Sequence, residues 1–211
     1  MTIEAGGIPP QTIERLPRYL RALDSLHAAG TATTSSAQLA ALAGVGSPQV
    51  RKDLSCLGSH GTRGVGYRVQ ELRGHIARTL GLDETQNVVV IGVGNLGRAV
   101  AQYGRLAARG FAVLTLVDDD PRVIGQEVGG LRVEDVASLE EVVRREGVTM
   151  AILTTPAEVA QEAAEAAVAA GVRAILSFAP RSLRVPPGVT VRYVDVGSEL
   201  QLLAFAMRHG C

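Results

Sequence analysis

The sequence predicts an α/β protein in which a small, mainly helical domain precedes a doubly wound parallel β-sheet. Three observations support this prediction. From residue 87 onwards, apolar β-branched runs alternate with helix-like segments, which is the pattern of a parallel sheet covered by helices on both faces. A turn of the form Gly-X-Gly-X-X-Gly directly follows the first of these runs. The residues before that run also carry a different balance of charge.

Charge is distributed unevenly along a chain whose formal net charge is zero. Residues 1–80 contain nine Arg and Lys against five Asp and Glu, whereas residues 81–211 contain twelve against sixteen. A basic first part and an acidic remainder indicate two domains with different partners. We therefore expect domains at 1–80 and 81–196, followed by a C-terminal helix at 197–211.

The composition argues against several classes of protein. Two cysteines, Cys56 and Cys211, are too few for a disulfide framework or a zinc site. The first seven residues lack the basic and apolar regions of a secretion signal, and no apolar run approaches the length of a membrane span. We expect a cytoplasmic protein with no membrane or metal partner. Because aromatic residues make up only 3% of the chain, its core should be aliphatic.

The first domain is expected to open with a helix. Apolar residues recur at helical spacing from residue 13 to residue 26, and Gly30 should end the helix. Thr12 is the candidate N-cap, and Pro17 either kinks the helix or marks its first turn. Residues 31–36 are expected to form a polar linker that ends in a cap at Ser36.

Residues 36–54 have the pattern of a helix-turn-helix. A short helix is followed by a glycine-containing turn and then by a second helix, with Ser47 as its N-cap and Pro48 in its first turn. On a helical wheel Lys52, the only lysine of the chain, lies on the outward face of this second helix. The predicted apolar core of the motif consists of Leu39, Leu42, Val45, Val50 and Leu54.

Glycines punctuate a short β-prone segment at residues 58–69, as in a wing hairpin with Arg63 near its tip. A helix-turn-helix with a wing and local positive charge is typical of DNA-reading units, in which the second helix enters the major groove. The alternative is a helical pair whose charges form an ordinary solvated face. The candidate DNA-contacting residues are Ser36, Ser47, Gln49, Arg51, Lys52, Ser55, Arg63 and Tyr67.

The strongest functional signal lies at residues 87–98. Four β-branched residues predict a buried strand, and the turn that follows reads Gly92-Val93-Gly94-Asn95-Leu96-Gly97. Gly92 permits a tight turn, Gly94 lets the backbone approach a pyrophosphate, and Gly97 lets helix and strand pack closely. The helix N-terminus then offers N–H groups to the phosphates. We interpret the six residues as dinucleotide ligands; the alternative is a purely structural turn.

The next predicted strand, at 111–117, ends in three acidic residues. Asp118 lies 21 residues past Gly97, where a carboxylate hydrogen-bonds the adenosine ribose hydroxyls. Together with Asp119 and Asp120 it would repel a 2′-phosphate, which favours NAD(H) over NADP(H). Arg122 is the only nearby residue that argues the other way.

The alternation of strands and helices continues to the end of the second domain. Helices are expected at 96–109, 138–146 and 157–170, and strands at 148–153, 173–178 and 189–194. Ligands of such sheets bind outside the carboxyl ends of the strands. The further candidate cofactor-binding residues at this edge are Asp120, Thr154, Thr155, Pro156, Phe178 and Ala179. The two threonines could instead cap the helix that follows them.

Residues 81–208 contain no His, Lys or Cys, although a hydride-transferring dehydrogenase usually needs a general acid or base beside the nicotinamide. Only Tyr103 and Tyr193 are candidates for that role. We therefore interpret the site as holding NADH or NAD⁺ as an effector without turning it over. One alternative is a small NAD-dependent oxidoreductase whose N-terminal domain only dimerises it. Another is a DNA-binding regulator that senses a different nucleotide-containing ligand, such as an acyl-CoA.

The last predicted helix, capped by Ser198 and running to about His209, is apolar on nearly all of its faces. Such a helix must be buried on several sides. At the end of the chain this suggests insertion into a partner subunit. Packing on its own sheet is the alternative.

Four motifs together resemble the family of the redox-sensing transcriptional repressor Rex. They are Val50-Arg51-Lys52-Asp53-Leu54-Ser55, Gly61-Thr62-Arg63-Gly64-Val65-Gly66-Tyr67, the glycine turn at 92–97, and Phe178-Ala179-Pro180. The resemblance covers nearly the whole chain in order. It implies a homodimer with an N-terminal winged helix and a C-terminal Rossmann-type domain whose last helix is swapped between subunits. It also implies binding to palindromic operator DNA, from which NADH releases the protein.

The resemblance further implies a switch at the cofactor. Tyr103 looks like the tyrosine near the nicotinamide, and Asp195 and Arg21 look like its switching partners. The chain departs from the family pattern in two places. Cys56-Leu57 replaces the usual aromatic pair, which leaves a thiol near the DNA face. Ser177 replaces the usual Asn before Phe-Ala-Pro, which affects one hydrogen bond beside the cofactor.

Overall fold

The structure is a computed structural model of the chain and describes residues 7–58, 61–62 and 64–210. It divides into two compact units, Met1–Glu84 and Thr85–Cys211. The division falls after Glu84, where the sequence suggested residue 80. The C-terminal helix is grouped with the second unit.

The first unit has the architecture of a winged helix. Its elements are α1 (Pro10–Ala28), β1 (Thr33–Thr34), α2 (Ser36–Ala43), α3 (Ser47–Cys56), β2 (Gly61–Thr62), β3 (Gly66–Arg68) and α4 (Val69–Thr79). The strands form an antiparallel sheet in the order β1-β3-β2, so that β2 and β3 make the expected wing hairpin. β1 and α4 are elements that the sequence pattern did not predict.

Helix α1 begins earlier than the sequence suggested. Pro9 occupies the N-cap position and Pro10 lies in the first turn, where the N–H that proline lacks has no helical partner. The prediction that Thr12 is the N-cap is wrong, because Thr12 lies inside the helix and is buried. Pro17 also lies inside the continuous helix and does not end it.

The two helices of the helix-turn-helix are capped one residue before the expected positions. Ser35 is the N-cap of α2, and its Oγ accepts the backbone N–H of Gln38 at 3.1 Å. Gly46 is the N-cap of α3, so Ser36 and Ser47 are instead the first residues of their helices. Leu42, which was expected in the core, is 52% exposed because the short α2 buries only its opposite face.

The centre of the first unit is Asp53, a fully buried carboxylate on α3. It accepts hydrogen bonds from Thr12 Oγ1 at 2.9 Å, from Tyr19 Oη at 2.6 Å, from Gln49 Nε2 at 2.8 Å, and from Arg15 at 2.6 and 2.8 Å. Burial by itself raises the pKa of the Asp53 carboxyl, but these bonds outweigh burial and hold the pKa at about 2. A charged group thus joins α1 to α3.

The second unit contains a seven-stranded sheet and the remaining helices. Its elements are β4 (Gln86–Ile91), α5 (Asn95–Ala101), β5 (Phe111–Asp118), β6 (Glu127–Val128), β7 (Leu131–Asp135), α6 (Leu139–Glu146), β8 (Met150–Leu153), α7 (Ala160–Ala169), β9 (Ala174–Ser177), β10 (Thr190–Tyr193) and α8 (Val196–His209). The strand order is β10-β9-β8-β4-β5-β7-β6, and only β6 pairs antiparallel. Apart from β6 this is the doubly wound Rossmann order, which confirms the predicted fold class.

Strand β4 lies near the middle of the sheet and is buried on both faces. Val88 and Val90 belong to one apolar cluster, whereas Val89 and Ile91 belong to another. Because side chains alternate along a strand, the two clusters lie on opposite faces of the sheet. A strand covered on both faces requires a continuous apolar run, which is what the sequence shows.

Three elements of the second unit differ from the sequence-based expectations. Helix α5 ends at Ala101, and only Ala107–Arg109 forms a short 3₁₀ helix before Gly110 (φ +86°). The hairpin of β6 and β7 was not predicted. Helix α8 begins at Val196, before the expected cap at Ser198, because the side chain of Asp195 accepts the backbone N–H of Gly197 at 2.9 Å and thereby caps the helix.

Helix α8 leaves its apolar side chains uncovered. None of its residues is buried, and its five large apolar residues from position 200 onwards are between 59 and 88% exposed. They are Leu200, Leu202, Leu203, Phe205 and Met207. The alternative in which this helix packs on its own sheet is therefore wrong.

We expect the substitution Asp53→Asn to destabilise the first unit by about 3 kcal/mol, because it removes the charge that Arg15, Tyr19 and Thr12 bind. Amide hydrogen exchange of α1 and α3 in the full chain measures this. The control is Asp24→Asn, which breaks an ion pair with Arg73 that is roughly half exposed and should cost less than about 1 kcal/mol. Equal effects of the two substitutions would contradict the central role of Asp53.

The wild type and Asp53→Asn also test how the stabilisation by Asp53 depends on pH. The pKa of Asp53 lies at about 2 in the folded chain, below its ordinary value of 3.8. Its stabilising contribution is therefore complete above pH 4 and is lost as the pH falls through 2. The difference in protection between the wild type and Asp53→Asn should shrink over that range, and a constant difference would argue against a charged Asp53.

Candidate functional site

The carboxyl ends of β4, β5 and β8 border an open cleft of about 680 Å³. Since the strand order reverses between β4 and β8, the cleft lies at the topological switch point of the sheet, where such folds bind ligands. Its lining residues are Ile91, Gly92, Gly94, Asp118, Asp119, Asp120, Val123, Val136, Thr154, Thr155, Pro156, Val159, Glu162, Ala163 and Ala166.

Two glycines of the turn after β4 are required by the path and packing of the chain. Gly92 has φ +91°, and a Cβ added there would lie 2.9 Å from Thr155 Cγ2. A Cβ added at Gly97 would collide with the carbonyl oxygen of Gly92. That same oxygen accepts a hydrogen bond from Thr154 Oγ1 at 2.5 Å. The turn, α5 and the end of β8 are thus in close contact.

Gly94 has a different environment. Its backbone is extended, and a Cβ added there would meet no atom within 4 Å. The fold itself therefore does not require glycine at this position. Because Gly94 lines the cleft, its missing side chain leaves room for a ligand to approach the backbone, as the dinucleotide fingerprint predicts.

Thr155 supplies an independent indication of a ligand. Its Oγ1 is buried and has no hydrogen-bond partner within the described part of the chain, and the residue lines the cleft. An unsatisfied buried hydroxyl costs about 1–3 kcal/mol. A phosphate or ribose oxygen in the cleft would satisfy it, so the residues present fit a nucleotide.

Asp118 connects the tip of β5 to the glycine turn. Its Oδ2 accepts the backbone N–H of Val93 at 2.5 Å, and its Oδ1 accepts the backbone N–H of Asp120 at 2.8 Å. The carboxylate keeps further lone pairs for a ribose hydroxyl. Binding of the ribose by Asp118 stays a prediction. The sequence did not indicate that Asp118 also holds the glycine turn through its hydrogen bond with Val93.

The basic residue near this acidic group is paired with one of its carboxylates. Arg122 forms an ion pair with Asp120 at 2.7 Å. Hydrogen bonds from the Arg122 side chain and backbone lower the pKa of Asp120 to about 2. Arg122 is thereby engaged by a carboxylate, and Asp118 and Asp119 remain as acidic lining of the cleft. A 2′-phosphate in the cleft would be repelled by these carboxylates, which favours NAD(H) over NADP(H).

Several predicted cofactor residues do not line the cleft. The side chains of Val93 and Ala179 are buried in the core, Phe178 is partly buried, and Asn95, Leu96 and Tyr103 are exposed. Of these, Val93 meets the site through its bond to Asp118, and the cofactor roles of the others stay predictions.

Two other residues that the sequence singled out have partners inside the second unit. Ser177 is fully buried, and its Oγ accepts the backbone N–H of Ala179 at 3.2 Å. Tyr193 accepts the backbone N–H of Leu183 with its hydroxyl at 2.7 Å. Neither residue lines the cleft. The other candidate proton donor, Tyr103, is likewise not among the residues that line the cleft.

The outward face of α3 carries the predicted DNA-contacting residues. Arg51, Lys52 and Ser55 are all exposed. Arg51 donates to Ser47 Oγ at 2.8 Å and to Ser36 Oγ at 3.2 Å, which joins the first residues of α2 and α3. Within the described residues neither Arg51 nor Lys52 forms an ion pair with a carboxylate, so both charges remain free for phosphates.

Three other predicted DNA-contacting residues have different settings. Tyr67 is only 8% exposed in the apolar core of the first unit, with its ring packed against Gly61. A direct DNA contact by the Tyr67 side chain is therefore not supported, and packing behind the wing is its observed role. Gln49 is bound to Asp53. Arg63 lies outside the described residues.

Arg21, the predicted switching partner, is exposed on α1. It lines a small groove of about 310 Å³ together with Arg18 and the exposed Leu42. Asp195, the other partner, caps α8, and hydrogen bonds from Ser198 lower the pKa of its carboxyl. The switch itself stays a prediction.

No helix in the described ranges combines the length and the apolar character that a membrane crossing needs. Over the same ranges, no three His, Cys, Asp or Glu side chains group as a metal site would require.

Comparison with known proteins decides the family. Residues 7–55 match the family model described as a putative DNA-binding protein N-terminus, and residues 83–181 match the CoA binding domain. The redox-sensing transcriptional repressor Rex of Streptomyces coelicolor is 51% identical over 94% of this chain and 77% of its own length. The Rex of Carboxydothermus hydrogenoformans is 46% identical over 95% of this chain and 97% of its own length.

The chain belongs to the Rex family. These matches confirm the resemblance inferred from the motifs. Because Rex proteins are repressors of transcription, the alternative of a small oxidoreductase is set aside.

Two solved structures of the Rex-family repressor RSP have the same fold. One is a complex with β-NAD⁺ and operator DNA, with 35% identity and a TM-score of 0.89 over all of this chain and 95% of RSP. The other is a complex with β-NADH, with 34% identity and a TM-score of 0.85 over all of this chain and 97% of RSP.

The two glycine environments generate a test of the site. We expect Gly94→Ala to leave the melting temperature unchanged and to weaken NADH binding at least about tenfold, because the new methyl group fills only the space for the ligand. Gly97→Ala is the control and should lower the melting temperature, because its methyl group meets the Gly92 carbonyl. Thermal unfolding and a fluorescence titration with NADH measure both effects. Unchanged NADH affinity in Gly94→Ala would place the pyrophosphate elsewhere.

Proposed function

We propose that this chain represses transcription by binding operator DNA as a homodimer through its first unit, and that NADH bound in the cleft of its second unit releases it. The observation that carries the proposal is the match along the whole chain, with a TM-score of 0.89, to RSP bound to β-NAD⁺ and operator DNA. We further place the protein in the cytoplasm, where it can reach both NADH and chromosomal DNA.

The pyrophosphate of the cofactor is proposed to lie against Gly94, with Thr155 Oγ1 donating to it and Asp118 accepting from the adenosine ribose. The acidic lining around Asp118 and Asp119 favours a dinucleotide without an additional phosphate. Coenzyme A carries a phosphate on its ribose, which these carboxylates would repel. NADH is therefore the better occupant, although one family model takes its description from CoA.

On the DNA side, α3 is proposed to enter the major groove with Lys52 and Ser55 towards the bases. The guanidinium of Arg51 and the hydroxyls of Ser36 and Ser47 form a polar cluster where α2 and α3 begin. Such a cluster suits a backbone phosphate, which fixes the register of the helix on the duplex. In a dimer on a palindrome, the two α3 helices should lie roughly 34–36 Å apart.

The homodimer is proposed to form through α8. All five of its large apolar residues from position 200 onwards are mostly exposed in the isolated chain. A surface of that kind is normally covered by another protein surface. A second copy of the chain that receives α8 and returns its own satisfies this need symmetrically.

The nicotinamide supplies the signal, because its oxidised ring carries a positive charge that the reduced ring lacks. Arg21, Tyr103 and Asp195 are the proposed responding groups. Asp195 also caps α8, so its charge and the start of the proposed dimer helix are linked. A hundredfold preference of NADH for the DNA-free form corresponds to about 2.7 kcal/mol, within the range of one or two charge-assisted hydrogen bonds.

The experiment for this function is a band shift of operator fragments with the full chain, titrated with NADH, NAD⁺ and coenzyme A. NADH should release the DNA, whereas NAD⁺ and coenzyme A should not.

We expect Lys52→Ala to weaken DNA binding by about tenfold or more, with unchanged NADH affinity in a direct titration. Equal loss of DNA binding and of NADH binding in Lys52→Ala would indicate misfolding. Release of DNA from the wild type by coenzyme A would favour a regulator that senses an acyl-CoA.

Asp195 requires two substitutions, because it both caps α8 and is proposed to respond to the cofactor. Asp195→Asn keeps a side chain that caps helices well but removes the charge, whereas Asp195→Ala removes both at a cost of about 1 kcal/mol. If the charge drives the switch, both variants should bind operator DNA and fail to release it with NADH. Normal release in Asp195→Asn would restrict Asp195 to capping.

A further inference from the structure

We propose that Glu162 on α7 recognises the base of the bound dinucleotide, by accepting a hydrogen bond from the exocyclic amine of adenine. The inference rests on the proposed function, because it assumes that the cleft holds NADH. It adds a residue that determines which nucleobase is accepted.

The position of Glu162 follows from the shape of the cleft. The lining continues from the glycine turn past Asp118 and onto one side of α7. The residues that line it there are Val159, at the N-cap of α7, and Glu162, Ala163 and Ala166 within the helix. Their spacing of three and four places them on a single face of the helix. With the pyrophosphate proposed at Gly94 and the ribose at Asp118, we assign the base to this face of the cleft.

The surroundings of Glu162 suit a flat aromatic ring. Val123, Val136 and Val159 also line the cleft, and Val159 is 41% exposed. Small side chains at Ala163 and Ala166 leave room beside them. Apolar side chains with a small number of polar groups among them are the usual lining of a ligand site.

The side chain of Glu162 is available for this contact. Within the described residues it has no hydrogen bond or ion pair, whereas the neighbouring Glu165 accepts a bond from Gln161 at 2.8 Å. An ionised carboxylate only accepts hydrogen bonds. The exocyclic amine of adenine donates. In hypoxanthine an oxygen that only accepts takes its place and the donor moves to ring N1, so a carboxylate positioned at the exocyclic group loses its bond and faces a repelling oxygen. Glu162 therefore favours adenine over its deaminated form.

A simpler role for Glu162 is that of an acidic residue in the first turn of α7, where it stabilises the helix dipole. That role predicts an effect on stability but none on the choice of base. The two roles are distinguished by measuring base preference instead of affinity alone.

The test compares the affinities of the full chain for NADH and for nicotinamide hypoxanthine dinucleotide in its reduced form, both followed by nicotinamide fluorescence. We expect the wild type to prefer NADH by about fivefold, the size of one partly solvated charge-assisted hydrogen bond. Glu162→Gln should bring the preference below about twofold, since an amide can face either base. The matched control Glu165→Gln, which removes the same charge from the same helix, should retain the wild-type preference.

Each other result has a defined meaning. If the wild type binds neither dinucleotide, the proposed function fails. If it binds both equally well, or if Glu162→Gln keeps the full preference, the cofactor site stands and the role of Glu162 is refuted. Equal loss of preference in both Gln variants would trace the effect to the charge of α7 and would also overturn the proposal.

Discussion

The second unit depends on a close contact between backbone atoms at the end of β4. The carbonyl oxygen of Gly92 is approached by Gly97 from α5 and is bound by Thr154 from the end of β8. This contact leaves no room for a side chain at Gly97. It also brings β4, α5 and β8 together at the point where the strand order reverses. The cleft exists because these elements meet there and because Gly94 beside them has open space around it.

Buried or half-buried carboxylates organise both units in the same physical way. Asp53 gathers donors from α1 and from its own helix, and Asp118 accepts two backbone N–H groups at the edge of the cleft. In each case several hydrogen bonds compensate a charge that has lost part of its hydration. The consequence for function is positional, because Asp53 orients the helix proposed to read DNA and Asp118 orients the turn proposed to bind phosphate.

The apolar side chains of α8 are uncovered in the single chain, which agrees with the proposed homodimer. Helix α8 exposes six large apolar side chains, and its N-terminus is capped by Asp195, a residue proposed to sense the nicotinamide. A helix whose burial requires a second subunit links dimerisation to the conformation of its own cap. Under the proposed function, an effector that changes the charge near that cap would act on the assembly as well as on one site.

The sequence by itself determined the doubly wound sheet, the winged helix and the glycine turn, because these follow from local periodicity and from the steric freedom of glycine. It also located Lys52 and Asp118 correctly at an outward helix face and a strand tip. It did not reveal the hydrogen bonds that converge on Asp53, the burial of Tyr67, the capping of α8 by Asp195 or the place of Glu162 in the lining of the cleft. Those features depend on residues from distant parts of the chain meeting in space, and hydropathy along one segment carries no information about such partners. Only the tertiary structure decided them.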